Sequence, residues 1–201
     1  MVQAIILAAG RSVRMGKENK LLMTIGQESI IRTTVSNIQS SKVDDIIVVA
    51  GFDFASIMQE LHDLQANIVY NASHKQGMTS SIMAGISQMR LDADAIMICL
   101  ADMPLIQPED YNTLIDYHND LLKTHEKPII RPAYSDNYGH PVLFHSSYTD
   151  QLMKARSNNG CREVIKDNLA HFHAFDAKDI KYFFDIDTPH DYKRLLRYLN
   201  L

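Results

Sequence analysis

The sequence predicts an α/β protein with three layers, in which helices cover both faces of a mostly parallel sheet. Two observations support this. Between Val2 and Lys123, short apolar runs rich in Ile and Val alternate with amphipathic stretches of helical length. Such alternation is typical of β-α-β units, whose crossover helices cover a parallel sheet. The length of 201 residues further indicates a single domain spanning 1–201.

The elements of the first half follow from this alternation. Four apolar runs are predicted to be buried strands: Val2–Ala8, Ile46–Ala50, Ala66–Tyr70 and Ala95–Leu100. Four amphipathic stretches between or after them are predicted helices: Ser29–Ser40, Phe54–Leu64, Thr79–Met89 and Pro108–Lys123.

The second half is less regular, and we expect it to complete the sheet. Predicted strands are Pro128–Pro132, Pro141–Phe144, Phe172–Asp176 and Tyr182–Ile186, with a turn at 136–139. Predicted helices are Cys161–Asn168 and Thr188–Leu199. The last helix has a clear start, because Thr188 suits an N-cap, Pro189 the first helical position and Asp191 the third.

Composition excludes several classes of function. A net charge of −4 argues against nucleic acid as the main partner. Cys99 lies in a buried run and is predicted to be a free thiol, and the two cysteines give no zinc-ligand spacing. The run Val2–Ala9 is too short to span a membrane and lacks a basic leader. We therefore expect a cytoplasmic protein without membrane association.

A glycine-rich cationic loop, Leu7–Lys20, follows the first strand and is suited to binding phosphate. Gly10 allows backbone N–H groups to approach an anion closely. The spacing of Gly10 and Gly16 fits neither a Walker A loop nor the dinucleotide fingerprint. An ordinary loop with surface cations is the alternative interpretation. The cations around it are Arg11, Arg14, Lys17 and Lys20.

Acidic residues occur at the ends of two predicted strands. Asp102 follows Ala95–Leu100, where open α/β sheets bind ligands, although a lone Asp in this position often only accepts loop N–H bonds. The helix cap explains Thr188 but not Asp185 or Asp187. Asp187 is nearer the loop that opens into the cleft and is favoured. With Asp102 it can hold Mg²⁺, which takes one or two carboxylates plus phosphate oxygens.

Two further segments are candidates for ligand contact. Gly77 permits close backbone approach and Ser81 offers a hydroxyl, although this segment also serves as a helix start. Gly139 permits a tight turn that displays His140, although a lone histidine is more often structural.

Taken together, these motifs make the chain resemble the molybdopterin cytidylyltransferase family, within the Rossmann-like nucleotidyltransferase superfamily. One motif alone is shared by many proteins, whereas the combination is specific and covers most of the chain. The matching segments are LAAGRSVRMG (7–16), KLL (20–22), QGMTSSI (76–82), LADMP (100–104), GHPVLF (139–144) and DIDTP (185–189).

The resemblance implies a Mg²⁺-dependent enzyme that transfers CMP from CTP to molybdenum-bound molybdopterin and releases pyrophosphate. It implies hand-over of the product to a molybdenum hydroxylase, and a division into a nucleotide-binding half (1–105) and an acceptor-binding half (106–201). By this resemblance, the catalytic residues are Arg14 and Lys20, and the metal ligands are Asp102 and Asp187. The implied acceptor contacts are Gly139 and His140. The implied nucleotide contacts are Ala8, Ala9, Gly10, Gly77 and Ser81.

Some alternatives remain open. Three residues separate Gly16 from Lys20 where the family usually has two, so Lys17 competes for the phosphate role. Asn158 stands where the family often has Asp, which bears on the acceptor side. A GTP-using relative, or a nucleotidyltransferase acting on a sugar or polyol phosphate, would keep the same loop and aspartates.

Overall fold

The computed structural model describes residues 1–15, 19–156 and 160–201. The strands are β1 Val2–Ala8, β2 Thr24–Ile25, β3 Glu28–Ser29, β4 Asp45–Ala50, β5 Asn67–Tyr70, β6 Ala95–Leu100, β7 Ile129–Tyr134, β8 Asn137–Tyr138, β9 Val142–His145 and β10 Phe172–Asp176. The α-helices are α1 Ile30–Gln39, α2 Phe54–Glu60, α3 Met78–Ile86, α4 Pro108–Leu121, α5 Thr149–Lys154, α6 Arg162–Asp167 and α7 Pro189–Tyr198.

Eight of these strands form one mixed, mostly parallel sheet. Its order is β10-β7-β9-β6-β1-β4-β5, and β8 pairs with β7. The pairs β1–β4, β1–β6, β4–β5 and β7–β10 are parallel, whereas β9 runs antiparallel to β6 and β7. The chain leaves β1 toward β4 on one side and returns as β6 on the other. Such a reversal of strand order opens a crevice at the carboxyl ends of the two strands, where α/β proteins bind ligands.

The helices cover both faces of the sheet, because alternate strand residues point to opposite sides. Ile6 and Val48 belong to a core formed with α1, α2, α4 and α7, which includes Ile31 and Leu195. Ile5, on the opposite side of β1, belongs to a second core formed with α3, α5 and α6. The predicted three-layer α/β architecture is therefore confirmed.

Most predicted elements of the first half are present with small shifts at their ends. Two strands have the predicted bounds, Val2–Ala8 and Ala95–Leu100. The predicted helix Phe54–Leu64 ends earlier, at Glu60. The capped start of the last helix is confirmed, because the Thr188 hydroxyl accepts a bond from the Asp191 N–H and the Asp191 carboxylate accepts one from the Thr188 N–H.

The predicted strand Tyr182–Ile186 is wrong. Residues 180–183 form a 3₁₀ helix instead. The Tyr182 carbonyl accepts a bond from the His140 N–H at 2.9 Å, and the Ile186 N–H donates to the Asp102 carbonyl at 3.2 Å. Because these bonds go to two loops, no ladder with a neighbouring strand forms here. The helix α5 and the small β2–β3 hairpin were not predicted, since both are too short to show a periodic pattern.

No helix among residues 1–15, 19–156 and 160–201 has the length and apolar character needed to cross a bilayer.

Candidate active site

A cleft of about 370 Å³ lies beside the carboxyl ends of β1 and β6. The β1–β6 register pairs Leu7 with Leu100, so the loop after β1 and the residues after β6 start from neighbouring points. Asp185 and Asp187, which lie between the 3₁₀ helix at 180–183 and α7, complete the wall. The lining residues are Leu7, Ala8, Ala9, Gly10, Ser12, Arg14, Lys20, Leu21, His74, Gly77, Met78, Ser81, Leu100, Asp102, Asp185 and Asp187. Of the eleven residues predicted to be catalytic or to contact nucleotide, metal or acceptor, nine line this cleft.

The loop after β1 is held in place by its own side chains. The Ser12 hydroxyl accepts a bond from the Lys20 N–H at 3.3 Å, across the loop. The buried Asn19 caps the short 3₁₀ helix at 20–22 by accepting the Leu21 N–H, and it donates to Asp53 at 3.4 Å. Leu21 is buried in the core. The backbone of Lys20 is therefore fixed on both sides.

Gly10 leaves open space in this loop. A Cβ atom built on Gly10 would meet no heavy atom within 4 Å. The glycine is thus not required by packing. Its backbone can be approached by a ligand, which is what a phosphate-binding loop needs. Lys17, the alternative to Lys20, lies outside the described residues, as does Asn158.

Two cations and two carboxylates meet at the centre of the cleft. Lys20 Nζ lies 2.5 Å from Asp102 Oδ2 and 2.9 Å from Asp187 Oδ1. Arg14 Nη2 lies 2.5 Å from Asp187 Oδ2. The Lys20 and Asp102 side chains are each only 13% exposed, whereas Arg14 is 68% exposed. Lys20 is therefore a fixed cation of the site and Arg14 a solvated one.

The electrostatics of this cluster favour a charged lysine. Burial alone would lower the pKa of Lys20, but its contacts with Asp102 and Asp187 outweigh burial and raise that pKa. Burial raises the pKa of Asp102, with Lys20 opposing. Burial also raises the pKa of Asp185, and the nearby Asp187 raises it further. Lys20 and the exposed Arg14 together carry two positive charges, fewer than the negative charges of three ionised carboxyl groups.

Three aspartates are grouped closely enough to hold one metal ion. One carboxylate oxygen from each of Asp102, Asp185 and Asp187 can be chosen so that all three atoms lie within 4.8 Å of one another. Asp102 Oδ1 is buried and has no hydrogen-bond partner among residues 1–15, 19–156 and 160–201. A buried oxygen without a partner is costly, and hard carboxylate oxygens are what Mg²⁺ binds. The residues present therefore fit a divalent cation.

The segment after β5 forms the opposite wall. Gly77 has φ +99°, a conformation that favours glycine, and it precedes α3. The buried Asn71 donates to the Ser80 and Ser81 hydroxyls, both at 3.0 Å. The backbone carbonyl of Asn71 accepts the His74 N–H at 3.2 Å. Asn71 thus positions the wall that contains Gly77 and Ser81.

The sequence patterns did not predict Asn71, His74 or Ser12 as site residues. Asn71 directly follows β5, so the strand-end argument applied to Asp102 would have found it. His74 lines the cleft, and its side chain occupies the space where a Cβ on Gly51 would lie. No local sequence pattern links His74 with Gly51, because the two residues come together only in the folded chain.

Gly139 and His140 lie outside this cleft's lining. The Gly139 N–H donates to the Pro132 carbonyl at 2.8 Å, and the Gly139 carbonyl accepts from Arg131 Nε at 2.8 Å. Burial lowers the pKa of His140 to about 4, and the nearby Arg131 lowers it further. His140 is therefore neutral at physiological pH. Its Nδ1 is buried, and no atom of the described residues forms a hydrogen bond with it. The acceptor role of both residues remains a prediction.

Gly139→Ala is expected to lower the free energy of unfolding by about 1–3 kcal/mol. A Cβ atom at this position would overlap the backbone carbonyl of Tyr182, which cannot rotate away. Gly10→Ala is the matched control, because its Cβ would enter open space. Urea unfolding followed by circular dichroism measures both. Equal stability of the Gly139 variant and wild type would contradict the close packing of these two loops.

Comparison with known proteins identifies the family. Residues 4–174 match the model of the MobA-like NTP transferase domain. The chain belongs to the MobA-like NTP transferase family. It is accordingly a nucleotidyltransferase, and the family fits the cationic loop and acidic cluster at the strand ends.

Full-length relatives agree with this membership. The chain is 27% identical to the purine catabolism protein PucB of Bacillus subtilis over 206 residues, which cover 96% of this chain and 95% of PucB. It is 28% identical to a probable molybdenum cofactor guanylyltransferase of Thermococcus kodakarensis over 199 residues, covering 94% and 92% of the two chains. A nucleotidyl transferase structure from Methanothermobacter superimposes with a TM-score of 0.86 at 19% identity, covering 100% and 98%, and supports the fold.

Proposed function

We propose that the protein transfers CMP from CTP to the terminal phosphate of molybdenum-bound molybdopterin and releases pyrophosphate. The observation that carries this proposal is the buried Asp102 Oδ1, which no described residue hydrogen-bonds, beside Asp187 and Lys20 at the strand ends of a nucleotidyltransferase. The resemblance of the motifs to molybdopterin cytidylyltransferases supports the substrates. A molybdenum cofactor guanylyltransferase among the relatives supports the acceptor class.

The cationic side chains of the cleft suit the negative charge that the phosphates of both substrates would carry. The acceptor phosphate is largely a dianion near neutral pH, with a second pKa of about 6, so it attacks the α-phosphorus without a strong general base. The bond from that phosphorus to the bridging oxygen breaks, and pyrophosphate takes the electron pair. Lys20, held protonated by its carboxylate neighbours, and Arg14 would offset charge on the phosphates. The N–H groups after Gly10 would add donors.

Asp102 and Asp187, with Asp185 beside them, would hold Mg²⁺. When bound, the ion supplies Lewis-acid stabilisation of the phosphate oxygens. Lys20 Nζ lies between Asp102 and Asp187 and can then interact with the nucleotide phosphates. Hand-over of the product to a molybdenum hydroxylase remains part of the proposal and rests on the resemblance alone.

The base preference rests on the cleft wall. Ala9 is 5% exposed and lines the cleft. The Leu-Ala-Ala-Gly sequence at 7–10 therefore places a methyl group where glycine would leave space. A narrower wall favours the smaller pyrimidine. GTP is the second candidate, because one relative is named a guanylyltransferase.

CTP is expected to support turnover at least about tenfold better than GTP, which corresponds to roughly 1.4 kcal/mol of transition-state preference. Ala9→Gly should reduce this preference by widening the wall. Pyrophosphate release with molybdenum-loaded molybdopterin and each nucleotide in turn measures the ratio. Ala93→Gly is the control, because Ala93 lies outside the cleft's lining. Equal or faster turnover with GTP would overturn the cytosine assignment and leave the guanylyltransferase.

A further inference from the structure

A second cavity lies on the α6 side of the sheet, between α6 and the strands β7, β8 and β10. Its volume is about 220 Å³, smaller than pockets for drug-sized ligands. It shares no lining residue with the cleft described above. Its lining residues are Arg131, Tyr138, Arg162, Ile165, Lys166, Leu169 and Phe172.

Arg131 is a half-buried cation that pairs with no carboxylate in the described parts of the chain. Its Nε donates to the Gly139 carbonyl at 2.8 Å and its Nη2 to the Tyr138 carbonyl at 3.3 Å. Its guanidinium carbon lies 5.5 Å from the centre of the Tyr138 ring. Burial lowers the pKa of Arg131, and the like charge of Arg162 lowers it further. Charged groups that are removed from water are normally paired with an opposite charge, and the described residues supply no such partner to Arg131.

Two more cations face the same cavity. Arg162 and Lys166 stand four residues apart on α6, so they occupy one face of the helix. Neither forms an ion pair with any residue that the structure describes. All the titratable side chains that line this cavity, apart from the Tyr138 phenol, are thus cationic.

The remaining walls are apolar or aromatic. Tyr138 and Phe172 pack edge to face with their ring centres 5.7 Å apart. Leu169 is 63% exposed and Tyr138 is 52% exposed. An exposed tyrosine and leucine, together with the half-buried Phe172 ring, lie beside cations that pair with no described carboxylate, and this combination suits a ligand with one flat apolar part and one anionic part.

We propose that this cavity is a second ligand site, separate from the nucleotide cleft, for a small planar molecule that carries a phosphate group. Arg131, Arg162 and Lys166 bind the phosphate, and Tyr138, Phe172 and Leu169 contact the planar part. Because Arg131 also holds the carbonyls of Tyr138 and Gly139, an occupied site stabilises the loop that leads to His140. The proposal does not depend on which nucleotide or acceptor the enzyme uses.

Calorimetric titration of the full chain with phenyl phosphate tests the site, with inorganic phosphate and phenol as partial ligands. Phenyl phosphate should bind tighter than either partial ligand. Binding should weaken at least about tenfold in the Arg162→Gln, Lys166→Gln double variant, because two charge-assisted contacts are lost. Both side chains are exposed, so we expect the fold to be retained, and circular dichroism checks it.

Two control variants make the outcome decisive. Arg197→Gln removes one positive charge from α7, on the opposite face of the sheet, and should leave the affinity within about twofold. Lys20→Ala removes the central cation of the nucleotide cleft and should also leave the affinity for phenyl phosphate unchanged. If Lys20→Ala abolishes binding and the double variant does not, phenyl phosphate occupies only the nucleotide cleft. That result, or no binding to wild type, overturns the proposal.

Discussion

Asp102→Asn is expected to reduce turnover at least about 100-fold while the fold and its stability are retained. The amide keeps the shape of the carboxylate but is a poor ligand for a hard cation. Asp102 Oδ1 has no partner to lose in the described part of the chain, and Lys20, whose contact with Asp102 Oδ2 is weakened, keeps its 2.9 Å contact with Asp187. The free energy of unfolding should stay within about 1 kcal/mol of wild type. Pyrophosphate release and a thermal melt followed by circular dichroism measure the two effects.

The control for this variant is Asp176→Asn. Asp176 also ends a strand, β10, but its side chain is 72% exposed and pairs with Lys178 at 3.7 Å. It should change neither activity nor stability. Asp185→Asn and Asp187→Asn show which neighbouring carboxylate is essential. A native melt combined with near wild-type turnover in Asp102→Asn would remove this residue from the metal site.

Lys20→Met is expected to lower both activity and stability. Turnover should fall at least about 100-fold, because the fixed cation proposed to offset the phosphate charge is lost. The free energy of unfolding should fall by about 2 kcal/mol or more, because the buried Asp102 is left without a cation and Asp187 keeps only the exposed Arg14. Lys42→Met is the control. Its exposed pair with Asp116 should contribute less than about 1 kcal/mol.

A double variant separates the two effects of Lys20. Adding Asp102→Asn to Lys20→Met removes the buried carboxylate that has lost its cation, whereas Asp187 still pairs with Arg14, so part of the lost stability should return. Activity should not return. Urea unfolding of the four proteins in this cycle measures the coupling between the two positions. An additive loss of stability would contradict the direct contact between Lys20 and Asp102.

The parts of the fold that sequence predicts well are the buried strands. β1 and β6 have continuous apolar runs bounded by loop residues, and both were predicted with their observed bounds. The segment at 180–187 shows why the rest is harder. Its aromatic and apolar residues are typical of a strand, yet its backbone bonds to the loops at His140 and Asp102. Such long-range partners leave no periodic signal.

In the candidate site too, residues with a local sequence signal could be predicted, whereas residues that depend on long-range contacts could not. Asp102 and Lys20 were found because a strand end and a glycine-rich loop have local signatures. Asn71 orders the facing wall through bonds to Ser80 and Ser81, which depend on the fold. The helix cap leaves both Asp185 and Asp187 unexplained, and Asp187 is favoured because it lies nearer the loop that opens into the cleft. Its choice over Asp185 remains a prediction, since both line the cleft. The division into nucleotide and acceptor halves also remains one.

Product analysis of the wild-type protein tests the proposed transfer of CMP to molybdopterin. CTP, molybdenum-loaded molybdopterin and Mg²⁺ are incubated with it, and pyrophosphate and the dinucleotide are quantified, the latter by mass spectrometry. The proposed function predicts one pyrophosphate for each molybdopterin cytosine dinucleotide formed, and no product after chelation of the metal. Dinucleotide formation that continues in the presence of the chelator, or pyrophosphate release without any dinucleotide, would contradict it.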